Sequence, residues 1–463
     1  MDGRSRQFNP DRIALDGYAI VSHASESRVL LLKGDGGWSL PQFVPKDPHA
    51  GNVREIGRTL KDRLGIDAIV LDCWCNEVNR TTGAIERVYT VRNGSPDWQL
   101  PANGRWIDRQ ELHDCPLAHP QHRRWLRQWF DCAGDGTALA QPWAHPDWFD
   151  RPRAWIETQL ERLGIEAIAP FEQLKAWPLA TTWCIPTTWG NLYFKAVAPL
   201  FALEPQHTLL LAKSYPDRLP RVLAIEPQQH WLLMGEAEGD PLACVRDLDR
   251  WGEALEAFAR LQIDSIPRVE EFLANDVPDL RLDRLDRFLV ALPEFWSNWD
   301  AAGSMAVLKL VPRLRQVARE FARSGIPHTL VHGDLSPLNI YIGDRAFTYT
   351  DWSDSCITHP FFDLARFLYE IELDFPDSRE ARSRLRDAYL QPWTNYASMS
   401  QCVEAFEQAY QTLAALYEAI VCHQLAPHWR LEVGQVAEPT APFYLKRLLV
   451  QVSAYLNLSL RGL

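Results

Sequence analysis

The run Leu330-Val331-His332-Gly333-Asp334-Leu335-Ser336-Pro337-Leu338-Asn339-Ile340 sets an aspartate and an asparagine five residues apart on a loop broken by Gly and Pro and flanked by apolar residues. A second carboxylate, Asp351, follows the β-like stretch Phe347 to Thr350. Three oxygen-bearing side chains at these spacings can converge on one metal ion and one hydroxyl. Such a set suits phosphoryl transfer, which needs a hard cation to neutralise phosphate charge and a carboxylate to orient or deprotonate the acceptor. Taken singly, Asp334 and Asn339 also suit a plain turn, and Asp351 a solvated loop.

These residues need elements to hold them. Beyond Asp247 the apolar period is helical almost throughout, interrupted only by the β-like patch Thr329 to Thr350 that carries the loop. Upstream, Asp150 to Leu163 reads as an amphipathic helix, Trp183 to Ile185 and Leu192 to Val197 as a hairpin, and Leu203 to Ser214 as a helix. Strands follow at Arg221 to Glu226 and His230 to Met234. At the start of the chain, alternation at Gly17 to Val21, Arg28 to Lys33, Ala68 to Asn76 and Glu86 to Arg92 predicts strands around one helix, Asn52 to Leu64, closed by Gly65. A helix over Gln121 to Cys132 ends this region, and the Gly, Ala and Pro-rich tract from Ala133 to Pro146 marks a domain boundary. No fixed-period repeat or low-complexity tract is present.

Composition narrows the partners. The chain has 463 residues, 46% of them hydrophobic, which excludes a disordered protein and gives room for two to four domains. Its net charge of −12 and the lack of any run of five basic residues argue against nucleic acid; the acidic excess suits cationic small molecules or plain solubility. The nine cysteines are odd in number and scattered, as reduced core residues are. Apolar stretches are too short to span a bilayer and Met1 to Asn9 lacks a leader's apolar core, so a cytoplasmic location is expected and no membrane partner.

Over residues 150–463 the chain resembles the aminoglycoside phosphotransferase and choline kinase-like family, whose loop carries His-x-Asp and an Asn five residues after the Asp, and whose metal-binding Asp precedes a Trp, as Asp351-Trp352 does. Thr358-His359-Pro360-Phe361-Phe362-Asp363-Leu364-Ala365 is similar to the family's Gly-x-Pro-x-x-Asp-Leu-Ala element. Phe194-Lys195-Ala196 stands where the family has its phosphate-binding Lys, and Glu204 where its partner stands. Pro220 to Ala224 and Trp231 to Gly239, with Met234 and Glu236, look like the strands and hinge that hold adenine. The resemblance implies ATP and Mg²⁺ as cofactors and a small-molecule hydroxyl as acceptor. It makes Asp334 the catalytic base, Asn339 and Asp351 the metal ligands, Lys195 the holder of the α- and β-phosphates, Glu204 its anchor, and His332 and Asp363 structural supports. Two departures bear on phosphate cradling and acceptor choice: Ser336 and Leu338 replace the usual His and Gly, and the Gly-rich nucleotide loop shrinks to Thr187-Thr188-Trp189-Gly190-Asn191. Asp354 is a further carboxylate that would line an acceptor site or remain a surface charge.

The first region resembles a Nudix domain through Trp38-Ser39-Leu40-Pro41, the stretch Arg58 to Ile66, and Trp106-Ile107-Asp108. Arg58, Leu60, Gly65 and Ile66 fit the family box. Thr59 and Arg63 replace two of its carboxylates, Asp62 is the acid left, and Val44 stands where its first Gly belongs. A cation at Arg63 opposes metal binding, so the resemblance implies a catalytically dead fold, either a ligand-sensing module or a structural partner. His113, Cys115, His119 and His122 match no common zinc spacing, and Pro116 and Pro120 favour a loop leading into the next helix. Among the 19 tryptophans, Trp183, Trp189, Trp231, Trp251, Trp296, Trp299 and Trp352 could form an aromatic box for an amine, although their spacing suits a core.

The expected architecture is therefore α+β: a bilobal protein-kinase-like phosphotransferase fold with a mostly helical C-terminal lobe, preceded by a Nudix-like α/β domain. Its expected divisions are 1–132, a linker at 133–149, an N-lobe with hinge at 150–246 and a C-lobe at 247–463. The expected activity is ATP and Mg²⁺ dependent transfer of the γ-phosphate to a small-molecule hydroxyl of aminoglycoside, sugar or amino-alcohol type. The alternative is a nucleotide-binding pseudokinase acting as sensor or scaffold, and spacing leaves nucleotidyl transfer open. Oligomeric state leaves no mark in the sequence.

Overall fold

A computed structural model describes residues 14–23, 25–46, 49–79, 82–95, 97–133, 141–284, 301–344, 346–374, 379–425 and 450–451. Trp296, Trp299 and residues 134–140 of the Gly, Ala and Pro-rich tract lie outside these residues. Two compact units form: one from the residues up to Leu200 with Trp231–Leu233, the other from Phe201–His230 and Met234 onward.

The first unit is built on a mixed sheet. Strands β1 (Leu15–Ser22), β2 (Val29–Gly34), β3 (Gly37–Ser39), β4 (Gln42–Phe43), β5 (Ala68–Val78), β6 (Ile85–Asn93) and β7 (Gly104–Ile107) assemble in the order β3-β2-β1-β6-β5, with β4 on β1 and β7 on β2. β1 and β6 run parallel from Leu15↔Ile85 to Ser22↔Arg92. Because successive strand side chains face opposite ways, Tyr18 and Ile20 enter one core with Trp125, Leu126 and Phe130. Ala19 and Val21 enter the other with Ile56 and Leu60. Helices α1 (Arg54–Leu64) and α3 (Pro120–Ala133) supply these covers, with a short helix α2 (Glu111–Asp114) between β7 and α3. Burial on both faces accounts for the unbroken apolar stretch Tyr18 to Val21 in β1. The predicted C-cap holds: Gly65 sits at φ 69° and donates to the Lys61 carbonyl at 2.8 Å.

Helix α4 (Asp150–Leu163) spans the predicted range and leads into the meander β8 (Glu172–Trp177), β9 (Ala180–Thr187) and β10 (Gly190–Val197), with Trp231–Leu233 beyond β10. Sequence periodicity misses β8, which is short, half-buried and carries a register shift between Gln173 and Lys175. β8 is tied to the N-terminal sheet and α1. Val53 donates to the Leu174 carbonyl and Ala176 to that of Gly51, both at 2.9 Å. The Gln173 side chain exchanges two bonds of 2.9 Å with the Val70 backbone.

The second unit holds α5 (Glu204–Ser214), β11 (Val222–Glu226), the end of β12 (Trp231–Gly235) and a helical body. Helices α6 (Leu248–Ser265), Phe361–Asp374, Arg379–Leu390 and Met399–Gln408 pack through Phe258, Phe361, Leu364, Leu385 and Phe406 into one core. Two small sheets emerge from it. β14 (Thr329–Val331) pairs with β17 (Cys356–Thr358), and β15 (Ile340–Ile342) lies between β13 (Asp240–Pro241) and β16 (Phe347–Tyr349). Among the described residues no helix is long and apolar enough to cross a membrane. No disulfide joins the seven cysteines whose side chains are described.

Candidate functional site

The loop between β14 and β15 is held from beneath. Asp363, fully buried near the start of its helix, accepts the His332 amide on Oδ2 at 2.8 Å and the Gly333 amide on Oδ1 at 2.9 Å. Complete burial pushes its carboxyl up to about 7, against the pull of those two amides. Gln262 of α6 adds an Nε2 bond to Asp363 Oδ2 at 3.0 Å, and its Oε1 accepts the Tyr389 hydroxyl, whose oxygen also lies 2.9 Å from the Pro360 carbonyl. His332 donates from Nε2 to the Thr350 carbonyl at 2.9 Å, which leaves Nδ1 to accept the Asp334 amide at 3.3 Å. Its ring lies 4.7 Å from that of Trp352, whose indole donates to the Tyr349 carbonyl at 3.0 Å.

Gly333 has no substitute here. It adopts φ 84°, and a Cβ on it would stand 2.2 Å from the Asp354 carbonyl oxygen. The peptide therefore turns tightly enough to lift Asp334 clear of the support below it. Asp334 is half-exposed, and its Oδ1 accepts both Nε and Nη2 of Arg366, at 3.1 and 3.0 Å. Asn339 Nδ2 donates to the Asp334 carbonyl at 3.0 Å and lies 3.4 Å from Asp334 Oδ2, which turns the amide oxygen the other way.

The ladder between β15 and β16 brings the third residue in. Ile340 is opposite Tyr349, and the Thr350 amide donates to the Asn339 carbonyl at 2.9 Å, so Asp351 emerges next to Asn339. Asp351 itself takes φ 65°, a left-handed conformation that aspartate tolerates better than most residues and that tends to mark functional positions. Its Oδ1 accepts the Ser353 hydroxyl at 3.0 Å, and the same hydroxyl lies 3.1 Å from Asp354 Oδ2. Tyr341 on β15 registers the neighbourhood: burial first, then the charges of Glu236, Cys244 and Asp351, push its phenol up.

The structure thus gathers Asp334, Asn339, Asp351, His332 and Asp363 in the second unit. Glu204 opens α5 and is buried, Met234 lies one residue before the end of β12 and is half-buried, and Glu236 follows the strand exposed. Lys195 belongs to the first unit, buried on β10 opposite Thr182. Ser336 is buried with its carbonyl accepting the Asn339 amide at 3.0 Å, whereas Leu338 projects into solvent. The shortened nucleotide loop is a tight hairpin turn: Thr187 Oγ1 donates to the Gly190 carbonyl at 2.7 Å, Gly190 takes φ 95°, and Trp189 is exposed at the tip. Arg366, Gln262 and Tyr389 carried no sequence signal. They act across 32 to 127 residues of chain, and no local spacing announces such contacts.

An amide oxygen at Asn339 and a carboxylate at Asp351 are hard donors that fit Mg²⁺, which takes one or two protein ligands and fills the rest of its shell with phosphate and water oxygens. Among the described residues no group of three or more His, Cys, Asp or Glu side chains is placed to hold a metal ion. The histidine cluster divides: Cys115 and His122 are buried, His119 is half-buried against His122, and His113 is exposed beside Asp114. His122 is buried between Tyr18 and Trp125, stacks on the latter at 5.4 Å, and its Nδ1 accepts the Leu40 amide at 3.3 Å. Trp183, Trp231, Trp251 and Trp352 are core residues.

Residues 209–402 match the sequence model of the phosphotransferase enzyme family. That span contains Met234, Glu236, Asp334, Asn339, Asp351 and Asp363. No curated protein matches the chain. Among solved structures it is similar to an ethanolamine kinase from Plasmodium vivax, at 13% identity over 72% of this chain and 90% of that one, with a TM-score of 0.47. It is similar also to a choline kinase from Cryptosporidium parvum, at 12% identity over 62% and 90%, TM-score 0.46. A NUDIX hydrolase from Nitrosomonas europaea aligns at 13% identity over 27% of this chain and 73% of its own, TM-score 0.23.

Proposed function

We infer, from the match of residues 209–402 to the sequence model of the phosphotransferase enzyme family, that the protein is a small-molecule kinase that moves the γ-phosphate of ATP to a hydroxyl of its acceptor. The observation that carries the reading is the convergence of Asp334, Asn339 and Asp351 on one rigidly supported loop and ladder. Transfer of a phosphoryl group asks for positioning and charge, and these residues supply both.

Asp334 is assigned as the base. Arg366 occupies its Oδ1 with two guanidinium N–H groups, a charge-assisted arrangement that fixes the carboxylate plane, and Oδ2, with Asn339 Nδ2 3.4 Å away, is assigned to receive the acceptor proton. Asn339 Oδ1 and Asp351 are assigned to hold Mg²⁺, which when bound would neutralise the phosphate oxygens. Lys195 is assigned to the α- and β-phosphates with Glu204 as its anchor, and Met234 and Glu236 to the adenine end. His332 and Asp363 hold the loop and touch no substrate. The reaction leaves ADP and a phosphate monoester, with the hydroxyl proton on Asp334.

In the same reading the chain divides at 133–149. The Nudix-like part performs no hydrolysis, because Arg63 donates to the Gln42 carbonyl at 2.7 Å where a metal-binding carboxylate would be needed. A pseudokinase is the second reading, favoured by the tight turn that replaces the Gly-rich loop.

One pair of measurements separates them. ATP with Mg²⁺ is expected to raise the melting temperature, by about 2.7 kcal/mol of added stability at one hundred times Kd, and Asp351→Asn to abolish the Mg²⁺-dependent part. On an acceptor found by screening hydroxylated amines and sugars, Asp334→Asn is expected to lower kcat by roughly 10²- to 10⁴-fold with an unchanged melting temperature. Nucleotide binding that Asp351→Asn leaves intact, with no turnover on any acceptor, would establish the pseudokinase instead.

A further inference from the structure

The first unit contains a cavity of about 410 Å³ that none of the assignments above uses. It lies between one face of α1, the start of α4, and the segment that enters β8. Arg54, Gly57, Arg58 and Lys61 line it from α1 at intervals of three and four residues, so they share one face. Thr59, Asp62 and Arg63, the altered positions of the box, are not among its lining, so the cavity is separate from the face a Nudix enzyme would use.

Its lining side chains carry one more positive than negative charge in a chain of net charge −12, with Glu157 3.8 Å from Arg153. Arg54, Arg58, Lys61 and Arg153 face three carboxylates, Asp67, Asp150 and Glu172. Lys61 and Asp67 neutralise each other at 2.8 Å. Glu172, by contrast, is shared: Oε2 accepts from Arg54 at 2.7 and 2.9 Å and Oε1 from Arg58 at 2.7 Å. Arg58 also meets Glu55 at 3.2 Å, so two carboxylates serve the two guanidinium groups, and their remaining forked N–H donors are left for a further oxyanion.

The opposite wall is aromatic. Phe149 stacks on Trp183 at 5.5 Å with 9° between the planes, and Phe171 lies 5.3 Å beneath the Arg153 guanidinium. Trp183 lines the cavity with 6% of its surface exposed, yet its indole N–H has no hydrogen-bond acceptor among the described residues. A buried donor without an acceptor is costly and uncommon.

We propose that this cavity is a binding site for a small organic anion, an oxyanion head of phosphate or carboxylate type held by Arg54, Arg58 and Arg153 on a planar body that rests against Phe149, Phe171 and Trp183. The volume suits a metabolite-sized molecule. The site is independent of the kinase assignment, since every lining residue belongs to the first unit.

Calorimetric titration of the full-length protein with phenyl phosphate, benzoate and inorganic phosphate tests the proposal. At least one aryl anion is expected to bind, and more tightly than inorganic phosphate. Arg58→Gln and Arg153→Gln are each expected to weaken it about tenfold. Arg153 stands outside the Glu172 pairing, so its replacement probes the ligand even if Arg58→Gln disturbs α1. Asp351→Asn should leave the affinity unchanged. Phenyl phosphate and benzoate together distinguish a phosphate site from a carboxylate site. Failure of both to bind at millimolar concentration, affinities that ignore Arg58→Gln and Arg153→Gln, or a loss on Asp351→Asn would each overturn it.

Discussion

A single backbone conformation at Gly333 controls how Asp334 is presented, and its cost can be measured. Two glycines with similar positive φ provide the comparison: Gly333 at 84°, with the Asp354 carbonyl where a Cβ would go, and Gly164 at 66°, with nothing within 4 Å. Gly164→Ala is expected to cost about 1 kcal/mol, the left-handed penalty alone. Gly333→Ala must also push the Asp354 backbone away, which would disturb the chain segment carrying Asp351 and Ser353. Its destabilisation is expected to exceed that of Gly164→Ala by at least about 1 kcal/mol in denaturant melts, together with a loss of kcat. Equal costs for the two would mean that the loop yields without strain. Asp334, Asn339 and Asp351 were legible in the sequence because their spacing is local. Arg366 was not, because only the packing of its helix carries a guanidinium to Asp334.

At the scale of elements, α3 shows how part of a cluster that looks like a metal site becomes core. Pro120 starts the helix, and the turn that follows puts His122 inward beside Trp125. Burial lowers the His122 pKa from 6.5 to about 3, because a charged imidazole cannot be solvated there. The sign follows from proton counting. Between pH 6.5 and 3 the unfolded chain binds a proton at His122 that the folded chain does not. The stability from keeping this histidine neutral is therefore complete above pH 6.5 and is lost as the pH falls through that window. Between pH 7 and pH 4.5 the wild type is expected to lose on the order of 2 kcal/mol more than His122→Phe, read from melts of the first unit. Matching pH profiles would show that the ring is not excluded from water. The helix itself was legible from its apolar period, but the inward histidine could not be read, since a period does not say which polar residue lies under the sheet.

For the whole molecule, the N-terminal sheet is tied to the strands that precede α5. Val53, Gly51 and Val70 bond to β8 through main chain and the Gln173 side chain, and Arg54 and Arg58 both clasp Glu172. Removing residues 1–141 would strip those partners and leave an unpaired strand edge, a template for association. The truncated protein is expected to aggregate or to melt well below the full chain, measured by light scattering and calorimetry. If it stayed monomeric with an unchanged melting temperature, β8 would not depend on the N-terminal sheet. The sequence placed a boundary in the Gly, Ala and Pro-rich tract, and composition does mark a change there. The compact unit nevertheless continues to Leu200, because pairing between segments more than one hundred residues apart decides it.

What the amino-acid sequence determined by itself is the order of the longer elements, the alternating and helical faces that choose their cores, and the local spacing that sets Asp334, Asn339 and Asp351 on a loop and a following turn. Each depends on residues within a few positions of one another, where period and turn chemistry are visible. Only the tertiary structure decided that Asp363 and Gln262 hold the loop from below, that Arg366 pairs with Asp334, that His122 is core, and that two arginines of α1 share Glu172 beside an aromatic wall. Those arrangements need chain segments distant in sequence to meet, and the energy that brings them together is burial of apolar surface, which constrains which faces pack but not which polar groups will lie opposite one another.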